Sequence, residues 1–111
     1  MASGNKLKVS EESFQRTVIE LATRLGWLVH AERKAQSKKG WRTPIQGDKG
    51  FPDIVFSHKV RKSTFVAELK SNTGVTSSEQ KFWINRLKEA GIEVHIWKPK
   101  DFELIKERLN R

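Results

Sequence analysis

The sequence predicts an α/β fold, a mixed sheet flanked by helices with one further helix closing the chain. Three observations predict it. Apolar residues recur at helical spacing near both ends and once in the second half, while short apolar or alternating runs lie between them. One helical stretch separates two of those runs, and such a connection usually crosses over to a parallel neighbour.

Each element has a local cause. Ser10 ahead of Glu11 and Glu12 opens the first helix, a capping hydroxyl followed by carboxylates in the positive first turn. Phe14, Val18, Leu21, Ala22 and Leu25 form its apolar stripe, and Gly26 stops it. Trp27 to Ala31 reads as a short strand. From about Arg33 to Pro52 the chain carries three glycines, two prolines and many lysines. This reads as a long loop, and a loop of that length in a small domain is usually functional. Asp53 to Phe56 is a strand, residues 57–63 a polar basic turn, and Thr64 to Lys70 the returning strand of a hairpin. Ser77 with Gln80 three residues on has the spacing of a capping box. The helix it starts has Phe82, Trp83, Leu87 and Ala90 as apolar positions and Gly91 as its stop. Ile92 to Trp97 alternates as a strand that Pro99 ends. A last helix runs from about Asp101 to Leu109, giving the order α-β-β-β-α-β-α.

Composition narrows the function. A chain of 111 residues holds one modest core, read here as a tail over residues 1–9 and one domain over 10–111. Hydrophobic residues at 36% and charged residues at 32% fit a globular protein. No apolar run reaches the roughly 20 residues of a membrane span, and the N-terminus lacks a signal-peptide core, so the expected setting is the cytoplasm with no membrane partner. The absence of cysteine excludes disulfides, thiolate zinc sites and cysteine nucleophiles. Twenty-two Lys and Arg against thirteen Asp and Glu leave a net charge of +9, which favours a polyanionic partner such as nucleic acid. The excess is clustered. Arg33, Lys34, Lys38, Lys39, Arg42 and Lys49 face one acid, Asp48, and Lys59, Arg61 and Lys62 follow closely.

One constellation carries chemistry. Side chains alternate along a strand, so Glu68 and Lys70 share a face while Ala67 and Leu69 take the other. Folding the hairpin about the 57–63 turn brings Asp53 beside them, so two carboxylates and an ammonium converge. Two carboxylates suit a hard cation such as Mg²⁺. The alternative is an ordinary exposed cross-strand ion pair worth roughly 0.2–1 kcal/mol. Trp41, within the basic loop, could stack on a base, anchor a partner subunit or simply pin the loop. Gly47-Asp48-Lys49-Gly50 is reminiscent of a phosphate loop but lacks the Walker spacing and precedes a strand. His30, His58 and His95 lack metal-ligand spacing and read as structural.

Gly50-Phe51-Pro52-Asp53, then Glu68-Leu69-Lys70 after a gap of 14 residues, resembles the PD-(D/E)xK nuclease signature. The wider pattern resembles the VRR-NUC branch of that superfamily, the free-standing bacterial and phage type. It comprises Ser10-Glu11, Phe14-Gln15 and Gly26-Trp27 ahead of that signature, with Ser71, Ser78-Glu79-Gln80, Trp83, Gly91 and Val94 in order after it. The resemblance implies the restriction-endonuclease-like αβββαβ core, to which the last helix is an addition. It also implies Asp53 and Glu68 as metal ligands, the Leu69 carbonyl as a further ligand, and Lys70 as the catalytic lysine. Mg²⁺ is the expected cofactor, with Mn²⁺ able to substitute. Gln80 matches the family's helix glutamine near the site, a role compatible with the capping box.

The resemblance also places a first-helix glutamate at the metal. Taking about 100° per residue from Phe14, the apolar stripe spans about −20° to +80°; Glu11 falls near about 60°, Glu12 near about 160° and Glu20 near about 240°. Glu11 is therefore chosen, against the alternative of a first-turn acid favoured by the helix dipole alone. The expected function is a metal-dependent DNA endonuclease, structure-selective in the manner of enzymes that cut branched DNA such as Holliday junctions, acting as a homodimer. Lys34, Lys38, Lys39, Arg42, Lys49, Lys59, Arg61 and Lys62 would grip phosphates. A phage-encoded chain would act in the host cytoplasm. A non-catalytic nucleic-acid-binding module with the same fold is the rival, and a restriction or RNA-directed nuclease a third reading.

Overall fold

The computed structural model describes residues 9–32, 35–37, 40–42 and 45–111, the segments 35–37 and 40–42 by backbone alone. Of the expected tail only Val9 falls among them. Helix α1 (Glu11–Arg24) begins where the capping signal placed it, with the Ser10 hydroxyl accepting the Ser13 N–H at 3.0 Å. Its stop is doubly specified. Gly26 adopts φ +95°, and a Cβ there would sit 2.9 Å from the His58 ring.

Four strands form the main sheet: β1 (Trp27–Ala31), β4 (Ile54–His58), β5 (Ser63–Leu69) and β6 (Val94–Trp97), in the order β1-β4-β5-β6. The β1/β4 and β4/β5 pairs are antiparallel and β5/β6 is parallel, the mixed sheet that the sequence predicts. Helix α2 (Ser78–Glu89) makes the crossover from β5 to β6, and α3 (Phe102–Leu109) follows a 3₁₀ turn over Pro99–Asp101. Within the expected 33–52 loop the chain instead forms a short hairpin, β2 (Ala35–Ser37) with β3 (Gly40–Arg42). Three-residue strands separated by Lys38 and Lys39 leave no period long enough to detect in sequence.

The two faces of the sheet are covered differently. Phe14, Val18 and Ala22 of α1 and Ile105 and Leu109 of α3 pack with Trp27, Ile54, Phe56, Phe65, Ala67, Leu69 and Trp97. On the opposite face Ile84 of α2 packs with Val66 and Val94, against Val55 and Leu87. Helices on both sides leave β5 buried from Phe65 to Leu69. Phe82, expected as an apolar contact of α2, is 63% exposed, and Ile84 takes the buried position. The far end of the sheet is tied down by the Leu109 carbonyl, which accepts the Trp27 indole N–H and the Arg61 guanidinium, each at 2.8 Å.

Candidate active site

The hairpin register decides what meets at the start of β4. Ile54 lies opposite Ala67, so one step earlier Asp53 lies opposite Glu68. The Asp53 carboxylate is anchored there, since Oδ2 accepts the Leu69 N–H at 2.9 Å. Ala67 and Leu69 belong to the α1/α3 core, so alternation puts Glu68 on the α2 face.

Glu68 is fully buried, which overturns the exposed ion pair considered from the sequence. A buried carboxylate is costly unless charge and hydrogen bonds match it. Two groups do so at Oε2: the Lys70 ammonium at 3.4 Å and the Gln80 amide at 2.7 Å. Lys70 is itself largely enclosed, its side chain 11% exposed, and its backbone N–H donates to the Trp97 carbonyl at 2.9 Å. Gln80 serves both roles considered for it. Its Oε1 accepts the Ser77 N–H at 2.8 Å while the Ser77 hydroxyl accepts the Gln80 N–H at 3.1 Å, completing the capping box. The rigid start of α2 thus aims an amide at Glu68.

The loop before Asp53 is also held by α2. Gly50 adopts φ +104°, and a Cβ there would lie 2.7 Å from the Glu79 backbone, so only glycine permits this approach. The Trp83 indole donates to the Asp48 carbonyl at 3.1 Å, and Phe51 packs edge-on to Trp83 at 5.1 Å. Lys49 lies 3.9 Å from the Glu79 carboxylate. A backbone N–H at the helix start, followed by Lys49, holds that carboxyl below its ordinary pKa.

Asp53, Glu68, Lys70 and Gln80 are therefore brought together, with Leu69 between them. Glu11 is not part of such a group: among the described residues no three Asp, Glu or His side chains gather as a metal site. Helix angle picks Glu11 from the three glutamates but leaves open which face of the sheet α1 covers. The α1 stripe packs against Ala67 and Leu69, across the sheet from Glu68. Helix periodicity specifies a stripe but not which side of a sheet it covers. Glu11 does sit at the right end of the sheet. Gln15, one turn on, reaches the Glu32 carbonyl at 3.5 Å, and the Glu32 N–H approaches the Asp53 carbonyl at 3.4 Å.

The basic residues divide. Lys34, Lys38 and Lys39 lie outside the described residues, and Arg42 is described by backbone only. Lys49 is exposed beside the site. Lys59, Arg61 and Lys62 are exposed in the turn after β4, at the opposite end of that strand from Asp53. Five strand residues separate the two by about 17 Å, so this second cluster does not converge on the carboxylates. Of the three histidines, only His58 is buried. Its Nε2 lies 3.0 Å from the Leu25 carbonyl and its Nδ1 3.3 Å from the Arg61 N–H, a structural role.

A family model described as the VRR-NUC domain matches residues 14–100, a span that includes Asp53, Glu68, Lys70 and Gln80 but starts after Glu11. A solved structure titled "VRR_NUC domain" shares the fold with a TM-score of 0.67 and 20% identity, over 93% of this chain and 97% of that one. None of the curated proteins matches.

Proposed function

Since the chain belongs to the VRR-NUC family, a family of nuclease domains, we propose that it is a Mg²⁺-dependent endonuclease that hydrolyses DNA phosphodiester bonds. The observation that carries the reading is the placement of Asp53 opposite a buried Glu68 whose Oε2 is held by both Lys70 and Gln80. A module that only binds nucleic acid gains nothing from carboxylates gathered where phosphates must approach.

The donor set suits a hard cation. Asp53, Glu68 and the Leu69 carbonyl offer oxygen alone, and Mg²⁺ characteristically takes one or two carboxylates and keeps several waters. Glu11 is proposed as an additional ligand from the end of the sheet. When bound, the metal lowers the pKa of a water and neutralises charge on the phosphate under attack. The protein's own groups do the rest. The Leu69 N–H fixes the Asp53 carboxylate, and the Gln80 amide fixes Glu68. The Lys70 ammonium is positioned to orient the attacking water or contact a phosphate oxygen. Basic side chains around β2 and β3, with Lys49, grip the backbone without reading sequence.

We further propose branched DNA as the preferred substrate and a homodimer as the working unit, because so small a domain spans little duplex and two sites would cut both strands. The test is cleavage of single-stranded, duplex, flap and four-way-junction DNA with Mg²⁺, Mn²⁺ or EDTA. Metal-dependent cutting that Glu68→Gln abolishes is the expected result. Cleavage undiminished in EDTA, or binding with no cleavage in either metal, overturns the enzyme reading, the second outcome leaving a binding module. Cutting of RNA in preference to DNA overturns the substrate.

A further inference from the structure

The loop that delivers Asp53 and the outer side of α2 enclose a second feature, a groove of about 760 Å³ lined by Asp48, Lys49, Glu79, Phe82, Trp83 and Arg86 among others. It begins one residue from Gln80, the partner of Glu68, and the backbone of its Glu79 touches Gly50, three residues before Asp53. The nuclease reading assigns this groove nothing.

Its chemistry is specific. Phe82 is 63% exposed, so its ring is open to a partner from solvent. The Arg86 guanidinium lies over one face of that ring, 5.0 Å from its centroid, so the two form a layered aromatic and cationic surface. Trp83, in contrast, is committed to the loop through Asp48 and Phe51. The charges among these six residues balance, Lys49 and Arg86 against Asp48 and Glu79, with Lys49 beside Glu79. A channel for phosphates would be uniformly basic. An aromatic and guanidinium platform with balanced charge suits the flat, neutral face of a base, on which aromatic and guanidinium planes commonly stack.

We propose that this groove holds an unpaired nucleobase of the bound strand, on the outer side of α2 from Glu68, with Phe82 and Arg86 as its stacking surface. The inference rests on the nuclease reading and deepens it: the strand brought to Asp53 and Glu68 is unpaired where it passes the outer side of α2. A fully paired duplex keeps its bases stacked inside and cannot offer one to Phe82 without extrusion. Lys49, exposed in the same groove, offers a cation to a backbone phosphate.

The experiment uses the full chain in EDTA, so that binding is read without cleavage. The probes are a single-stranded oligonucleotide containing 2-aminopurine and a blunt duplex of the same sequence. The expected result is quenching of 2-aminopurine by the wild-type protein. Phe82→Ala should lose the quench and bind the single strand roughly five- to 150-fold more weakly, the range of one base stack, with duplex affinity unchanged. Phe82→Trp should restore the quench. Phe82 is exposed, so the variants should fold, and circular dichroism checks it. Wild-type binding that Phe82→Ala leaves unaltered, or weakens equally for both probes, overturns this inference alone and leaves the groove to a protein segment. Failure of the wild-type protein to bind either probe overturns the nucleic-acid reading with it.

Discussion

The side-chain amide of Gln80 joins the start of α2 to the buried Glu68 carboxylate, donating to Oε2 at 2.7 Å while its own oxygen accepts the Ser77 N–H at 2.8 Å. One residue therefore finishes a helix cap and orients a proposed metal ligand. Partners that orient a ligand in this way are typically worth roughly 10–100-fold in metal affinity or activity. Gln80→Ala should lower cleavage by about that factor and raise the Mg²⁺ requirement. Ser77→Ala isolates the cap: it should cost about 1 kcal/mol of stability and leave cleavage near wild type, because the Ser77 N–H still holds Gln80. Equal losses of activity in the two variants would show that Gln80 acts only through the helix.

Asp53, if it binds the metal, carries a second, structural duty that substitution can separate from it. Its Oδ2 accepts the Leu69 N–H, a structural bond that an asparagine oxygen can replace. Asp53→Asn should therefore melt close to wild type yet fail to cut DNA in Mg²⁺, with binding in EDTA retained. Asp53→Ala should in addition lose roughly 1–3 kcal/mol for the amide left without its acceptor. Calorimetry and a cleavage assay on the two variants check this. Full activity of Asp53→Asn would remove the residue from the chemistry.

Where the DNA lies is tested by its salt dependence. Neutralising Lys38, Lys39 and Arg42 together should weaken binding to every sequence alike and reduce the salt slope by roughly 0.9 for each phosphate that the protein no longer neutralises. Lys59→Gln with Lys62→Gln should change the slope little, because their turn lies at the other end of β4 from Asp53. The opposite ranking in a salt titration would place the duplex across the far end of the sheet.

An acid limb of stability is expected from the end of the sheet where α3 docks. The buried Arg108 guanidinium donates to Glu93 at 2.6 and 3.1 Å and to the Ser63 hydroxyl at 2.9 Å, packed over the Phe65 and Trp27 rings. Arg108, outweighing partial burial and aided by His95, holds the Glu93 carboxyl down from 4.5 to about 2. A carboxylate whose folded pKa is depressed contributes stability that is complete above the unfolded value and is lost as pH falls through the folded one. Wild-type melting temperature should fall between pH 4.5 and about 2. Glu93→Gln, which cannot titrate, should start lower at neutral pH and fall less across that window. Identical pH profiles would show that this pair carries none of the acid limb.

Much of this was legible in the sequence, and the failures share a cause. Strand alternation and the intervening turn put Asp53 near Glu68 and Lys70, and Ser77-x-x-Gln80 marked the cap, because both signals are local. Periodicity along one element does not say what covers it. The apolar period of α2 included Phe82, yet the helix turns that ring outward beside Arg86 and buries Ile84. The stripe of α1 was equally plain, but not the side of the sheet it would take. Arg108 packs between rings contributed by β1 and β5, contacts that no spacing within α3 announces.

The face that α1 covers makes Glu11 the sharpest remaining test. The α1 stripe packs away from Glu68, so Glu11 can act at the metal only around the end of the sheet. The contacts from Gln15 to Glu32 and from Glu32 to Asp53 place the first turn of α1 at that end. Glu11 precedes Gln15 by four residues and so shares its side of the helix. Its side chain is half-buried, whereas Glu12 and Glu20 are exposed. Replacing glutamate by glutamine keeps size and helix propensity while removing the charge that would bind Mg²⁺. Glu11→Gln should lose most activity or need much more Mg²⁺, with Glu12→Gln and Glu20→Gln near wild type. Cleavage rate against Mg²⁺ concentration for the three variants decides it. If Glu12→Gln or Glu20→Gln is the inactive one, the helix ligand lies elsewhere on α1. If all three cut normally, Asp53, Glu68 and the Leu69 carbonyl hold the metal with water alone, and the first helix serves only to cover the opposite face.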